Sequence, residues 1–251
     1  MGRIVLVNGT VVTGDQSYII DGIAGEGANC IVYSAYYLDN AGYSHAVLLK
    51  ECYPYASNIT RTGDSLSWAD DAEQRRDLAA FEDSYKKLMQ SQNSEKNRNS
   101  IVVAFQIFNA NGTIYSVVHK DIGISYDKET GKSLLENLKT ILALTKAVKN
   151  YHDNGYLHLD IKPNNFLVIP ETRQLVKLFD LDTVISKKEV STMHCIPYSE
   201  NWAAPEQLQG QRDKICEATD LYAIGAILFE KIMGRKMAQQ DYSIFADWSF
   251  D

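Results

Sequence analysis

His158-Leu159-Asp160-Ile161-Lys162-Pro163-Asn164-Asn165 is the stretch that decides how the rest of the chain is read. It sets a carboxylate, an ammonium and a side-chain amide at fixed offsets in one short loop. Phosphoryl transfer calls for such a set: a carboxylate to orient and deprotonate a hydroxyl, a cation beside the moving phosphate, and an oxygen ligand for Mg²⁺. On that chemistry Asp160, Lys162 and Asn165 are the candidate catalytic residues, and Asn165 is also a candidate metal ligand. Eight residues can also arise in an ordinary surface loop, so the flanking segments carry the decision.

Downstream, Phe166-Leu167-Val168-Ile169 and Leu175-Val176-Lys177-Leu178 are two short apolar runs around a polar turn, which predicts a hairpin. Such a hairpin delivers Asp180, in Asp180-Leu181-Asp182, back beside Asp160. Then come Ala204-Pro205-Glu206 and Asp220-Leu221-Tyr222-Ala223-Ile224-Gly225, the second opening an apolar helical run. These segments resemble the protein kinase family. The loop is similar to H-R-D-L-K-x-x-N with Leu159 for Arg, Asp180-Leu181-Asp182 to D-F-G without its glycine, and Ala204-Pro205-Glu206 matches A-P-E. The resemblance implies that Asp180 binds Mg²⁺ and that Asp220 braces the catalytic loop from a buried helix.

Upstream, Gly25-Glu26-Gly27-Ala28-Asn29-Cys30-Ile31-Val32 resembles the glycine-rich G-x-G-x-x-G-x-V, with Cys30 in the third glycine position. Alone it is a plain hairpin; in this order it implies a nucleotide-binding turn at Gly25, Gly27 and Val32. His45-Ala46-Val47-Leu48-Leu49-Lys50 is an apolar strand ending in the lysine that the family pairs with ATP phosphates and a helix glutamate. A helix over 69–89 offers Glu73 and Glu82, and Glu82 is chosen because it lies deeper among Phe81, Tyr85 and Met89. Asn111-Gly112 between apolar runs predicts a second hairpin. Its outgoing strand leads to Val118, His119, Lys120 and Asp121, which the resemblance places at the adenine hinge, with Val118 near the gatekeeper position. Spacing at Leu134, Leu138, Ile141, Leu142, Thr145 and Val148 predicts a long helix feeding Gly155.

A chain of 251 residues buries roughly 70–75% of its unfolded surface, ample for a core. A net charge of −7 argues against broad affinity for nucleic acid or anionic membrane. No run is long and apolar enough to insert in a membrane. Met1-Gly2 begins like a myristoylation signal, but Leu6 stands where Ser or Thr is needed. Cys30, Cys52, Cys195 and Cys216 show no close metal-type pairs, which fits a reduced, cytoplasmic setting.

The expected fold is α+β: a two-lobed protein-kinase-like fold with a β-rich N-lobe over 18–120 and a mainly helical C-lobe over 121–251. Residues 1–17 form an N-terminal extension with a β-hairpin around Asn8-Gly9. Only 31 residues follow Asp220, so the C-lobe reads as incomplete and Glu206 lacks an identifiable arginine partner. The implied activity is transfer of the γ-phosphate of ATP, with Mg²⁺, to a serine or threonine of a protein substrate. Lys162-Pro163 and Ser199 favour that acceptor class, whereas Trp202 is more like tyrosine kinases. Two alternatives stand: a pseudokinase, suggested by Cys30 and Asp182, and a small-molecule kinase of the aminoglycoside or choline type. Leu159 cannot grip a phosphate as arginine does, so activity is expected without phosphorylation between Asp182 and Glu206.

Overall fold

The structure is a computed structural model describing residues 2–92, 104–120, 123–169, 176–179, 183–193, 195–238 and 241. It divides into two compact units, Met1–Gln92 with Val102–Asp121, and Asn93–Ile101 with Ile122–Asp251.

In the first unit the elements run β1 (Val11–Thr13), β2 (Ser17–Glu26), β3 (Cys30–Leu38), β4 (Ser44–Cys52), β5 (Ile59–Thr62), β6 (Ser65–Trp68), α1 (Asp71–Gln92), β7 (Ala104–Ala110) and β8 (Thr113–His119). An antiparallel sheet of order β1-β2-β3-β4-β8-β7 organises it. Side chains alternate across a strand, so one face takes the apolar set. Tyr18, Ile20, Ile31, Tyr33, Val47, Leu49, Tyr115 and Val117 are buried there in one core. Each large aliphatic side chain so buried contributes roughly 1.5–3 kcal/mol. The Asn111-Gly112 turn forms as expected, with φ of 51° and 73°, between β7 and β8. A Cβ at Gly112 would lie 2.3 Å from the carbonyl oxygen of Leu66, so glycine also admits the close approach of β6.

One feature differs from the sequence reading. The Asn8-Gly9 turn exists, with Thr10 N donating to Val7 O at 3.1 Å, but no strand precedes it among the described residues. Instead β1 pairs with the start of β2, Val12 opposite Tyr18, because Val12 then reaches the core. Between Lys50 and α1 the chain folds as the β5–β6 hairpin, which adds Leu66 and Trp68 to the core and brings Arg61 to the fully buried Glu51.

The second unit contains β9 (Ile124–Ser125), α2 (Leu134–Asp153), β10 (Tyr156–Leu157), β11 (Phe166–Val168), β12 (Val176–Leu178), β13 (Ile185–Ser186), α3 (Pro205–Leu208) and α4 (Glu217–Met233). The hairpin predicted after the loop is β11–β12, with Phe166 opposite Leu178. A capping box starts α2, Ser133 Oγ accepting from Glu136 N while Glu136 accepts from Ser133 N. Its buried stripe is Asn137, Thr140, Ile141, Leu144, Val148 and Tyr151. Of the residues whose spacing predicts the helix, Ile141 and Val148 are buried, whereas Leu134, Leu138 and Leu142 are exposed. Asn137 is buried in that stripe and satisfied there, accepting from Tyr126 Oη at 2.9 Å. α4 buries Asp220, Ala223, Ile224 and Ile227. The β-rich first unit and mainly helical second unit make the expected α+β, two-lobed architecture. No helix among the described residues is long and apolar enough to cross a membrane.

Candidate active site

In the second unit the loop 158–165 is fixed from beneath. Asp220, 1% exposed, accepts the amides of His158 (Oδ2, 2.9 Å) and Leu159 (Oδ1, 2.8 Å). His152 Nε2 lies 2.8 Å from the same Oδ2. Thr183 Oγ1 donates to His158 O at 2.8 Å. The family resemblance implied a bracing role for Asp220, and these bonds hold the loop backbone in that way. Gln207 was not anticipated: its Nε2 donates to Leu159 O at 2.8 Å and Pro197 O at 2.7 Å, tying the loop to the segment before α3. A buried amide with several partners is a signal only three-dimensional structure supplies.

Above this brace the three catalytic candidates meet. Lys162 Nζ is 2.6 Å from Asp160 Oδ2 and donates to Ser199 Oγ at 3.0 Å. Ser199 Oγ donates to Asp160 Oδ1 at 2.5 Å, closing a triangle. Asn165, 3% exposed, donates from Nδ2 to Asp160 O at 2.9 Å and to Oδ2 at 3.1 Å. That leaves its amide oxygen, a ligand type suited to Mg²⁺. Phe179 N donates to Asn165 O at 3.0 Å, so the chain just before Asp180 is bonded to Asn165. Asp180, like Asp121, lies outside the described residues. Among the described residues no three His, Cys, Asp or Glu side chains cluster as a metal centre. A hollow of about 410 Å³ opens beside the triangle, lined by Lys162, Ser199, Trp202, Glu230, Lys231 and Lys236.

Glu206 of Ala204-Pro205-Glu206 finds a partner other than arginine. Thr219 Oγ1 donates to its Oε1 at 2.6 Å, stapling α3 to the first turn of α4.

In the first unit, antiparallel register sets Gly25 opposite Val32, Val32 opposite Lys50, and Lys50 opposite Ser116. Directly opposed residues share a face, so four neighbouring strands present one row. Leu48 opposite Val118 lies on that same face. His119 pairs with Val47, on the other face, and is exposed. A Cβ at Gly25 would meet nothing within 4 Å, so the row is open at the turn, and one at Gly27 would only touch Cys30 Sγ at 3.7 Å. A lysine on the same face as an open glycine turn, two strands away, suits a polyphosphate. Glu82 sits on the half-buried side of α1 with Phe81 and Tyr85, yet its carboxylate, in a side chain 45% exposed, pairs with Lys86 at 3.6 Å one helical turn on.

Comparison with known proteins agrees with this geometry. A family model for the protein kinase domain matches residues 86–247, well over half of the chain. The chain is 30% identical over 100 residues to serine/threonine-protein kinase PrkC of Bacillus subtilis, covering 40% of this chain and 15% of that protein. It is 30% identical over 122 residues to serine/threonine-protein kinase/endoribonuclease IRE1b of Arabidopsis thaliana, covering 45% and 13%. The matched stretches thus span a small fraction of those relatives' lengths. The crystal structure of a kinase domain superposes with a TM-score of 0.72 at 16% identity, covering 94% of this chain and 70% of the other. The family match and the shared fold agree with the loop geometry, and the chain belongs to the protein kinase family of the Hanks type.

Proposed function

We propose that this protein kinase is ATP- and Mg²⁺-dependent and phosphorylates serine or threonine in a protein substrate. The observation that carries this is the Asp160–Lys162–Ser199 triangle with Asn165 at its edge. The hydroxyl of Ser199 already donates to Asp160, the same bond an acceptor serine or threonine would make as its proton is drawn off. Lys162, bonded to Asp160 and Ser199, would steady negative charge on the transferring group, and its link to Ser199 supports an aliphatic hydroxyl as acceptor. Bound Mg-ATP supplies an electrophilic γ-phosphoryl group and a divalent charge that offsets the phosphate oxygens. Asn165 and Asp180 would hold the metal; Gly25, Gly27, Val32 and Lys50 would hold the nucleotide, with Glu82 as the partner of Lys50. Val118, His119 and Asp121 would flank the adenine.

A second reading, nucleotide binding without efficient transfer, draws on the Glu82 carboxylate, which pairs with Lys86 at 3.6 Å in this structure.

The test is incubation with labelled ATP, Mg²⁺ and a generic protein substrate. Label on serine or threonine is expected from the wild-type chain. Asp160→Asn should lose about 10²–10⁴-fold in turnover while nucleotide binding persists. Ser199→Ala should lose roughly tenfold or more and Ser199→Thr much less, because the bridging hydroxyl survives. Undiminished transfer by Asp160→Asn sinks the assignment, and no label from a folded wild-type chain favours the second reading.

A further inference from the structure

The turn between β2 and β3 is held from outside by one buried guanidinium. Within the turn, Gly27 N donates to Cys30 O at 2.9 Å. The segment after β4 is zipped along it, Tyr53 N donating to Asn29 O at 3.1 Å and Tyr55 N to Ala28 O at 2.8 Å. Arg3 then closes the assembly. Its Nη1 donates to Tyr53 O at 2.6 Å and Cys30 O at 3.3 Å, and its Nη2 pairs with Glu26 Oε2 at 3.2 Å. The guanidinium carbon lies 5.8 and 5.9 Å from the ring centroids of Tyr53 and Tyr55. The Arg3 side chain is 8% exposed, the Glu26 side chain 51%.

Glu26 stands between the two glycines, an unfavourable place for a carboxylate in a turn that takes a polyanion. Register puts Glu26 opposite Ile31, one step from the Gly25–Val32 pair, so its side chain belongs to the face away from Lys50. Arg3 approaches from that away-facing side and neutralises it. We propose that Arg3 is a positioning residue that pins the Glu26 carboxylate to the outer face of the glycine turn, keeping the inner face hospitable to a nucleotide polyphosphate. This rests on the nucleotide-binding reading above. It gives the first residues of the chain a role in that site.

The experiment is equilibrium binding of a fluorescent ATP analogue with Mg²⁺ to wild type, Arg3→Ala, Arg3→Lys, Glu26→Gln and the Arg3→Ala/Glu26→Gln double variant, each checked for folding by circular dichroism. Arg3→Ala is expected to weaken binding about five- to tenfold, the effect of one freed charge at partly screened range. The double variant should bind within about twofold of wild type, and Arg3→Lys should keep most of the affinity, since the pair with Glu26 persists. Rescue by removing the carboxylate is what a merely structural arginine would not give. Unchanged binding by Arg3→Ala, or an equal loss in the double variant, overturns the proposal. If Arg3→Ala fails to fold, Glu26→Gln in the wild-type background together with Arg3→Lys decides it: weaker binding by Glu26→Gln overturns it. Absence of binding by the wild type would overturn the nucleotide reading itself, a separate result.

Discussion

Asp220 Oδ1 accepts the amide of Leu159 at 2.8 Å, and Leu159 holds a φ of +63°. A left-handed backbone costs a residue with a Cβ about 1–2 kcal/mol, and here that conformation turns the following Asp160 toward Lys162 and Ser199. The brace from α4 and the geometry of the proposed base are therefore one arrangement.

Asp220→Ala should destabilise the second unit by about 2–4 kcal/mol, because two buried N–H groups and His152 lose a charged acceptor. Asp220→Asn should cost less, as one acceptor oxygen remains. Urea unfolding followed by circular dichroism measures both, and phosphotransfer should fall alongside. Equal stability of Asp220→Ala and wild type would remove the brace.

Leu159 is 3% exposed and packs with Leu157, Val190, Ile196 and Ile215. The segment that follows the loop is thus anchored by an apolar cluster, where an arginine would need a phosphate. Phosphatase treatment should leave turnover unchanged within about twofold. Leu159→Arg should destabilise by several kcal/mol, on the order of the penalty for an unpaired buried charge. A large loss of activity on dephosphorylation would contradict this.

In the first unit Arg61 is the charge partner of Glu51, which is 0% exposed and also accepts from Tyr33 at 2.9 Å and Tyr115 at 2.5 Å. Arg61→Ala should cost about 3–5 kcal/mol, since it strands a buried carboxylate. Replacing both, Arg61→Met with Glu51→Leu, should recover part of that loss. Thermal melts of the two variants decide it, and a double variant less stable than Arg61→Ala would count against the pairing.

Burial pushes the Tyr18 phenol up to about 12, with the charges of Tyr37 and Asp15 adding to it. Burial, then Glu51, raises Tyr33 and Tyr115 further. A phenol in an unfolded chain titrates near 10. The folded values lie above that, so the stability these phenols contribute is intact below about pH 10 and is lost as pH rises through about 12. The last increment of phenolate absorbance, that of the buried tyrosines, should coincide with loss of circular dichroism in that window, with Tyr18→Phe moving the midpoint upward. Phenolate absorbance complete near pH 10 with secondary structure intact would refute it.

The sequence alone determined what local chemistry can determine. Asn111-Gly112 forced a two-residue turn because both positions need positive φ. Alternating apolar residues specified strands, and the spacing from His158 to Asn165 specified which groups share a loop. Tertiary structure decided what depends on partners distant in sequence. The β5–β6 hairpin, the burial of Glu51 against Arg61, the staple from Thr219 to Glu206 and the grip of Gln207 on Leu159 pair residues whose types are common on any surface. The buried stripe of α2 likewise combines Ile141, Leu144 and Val148 with Asn137, which Tyr126 satisfies inside, while Leu134, Leu138 and Leu142 stay exposed. Periodicity reports which faces a segment offers; which face is taken depends on the shape and hydrogen-bonding needs of the elements packed against it, and those exist only once the chain has folded.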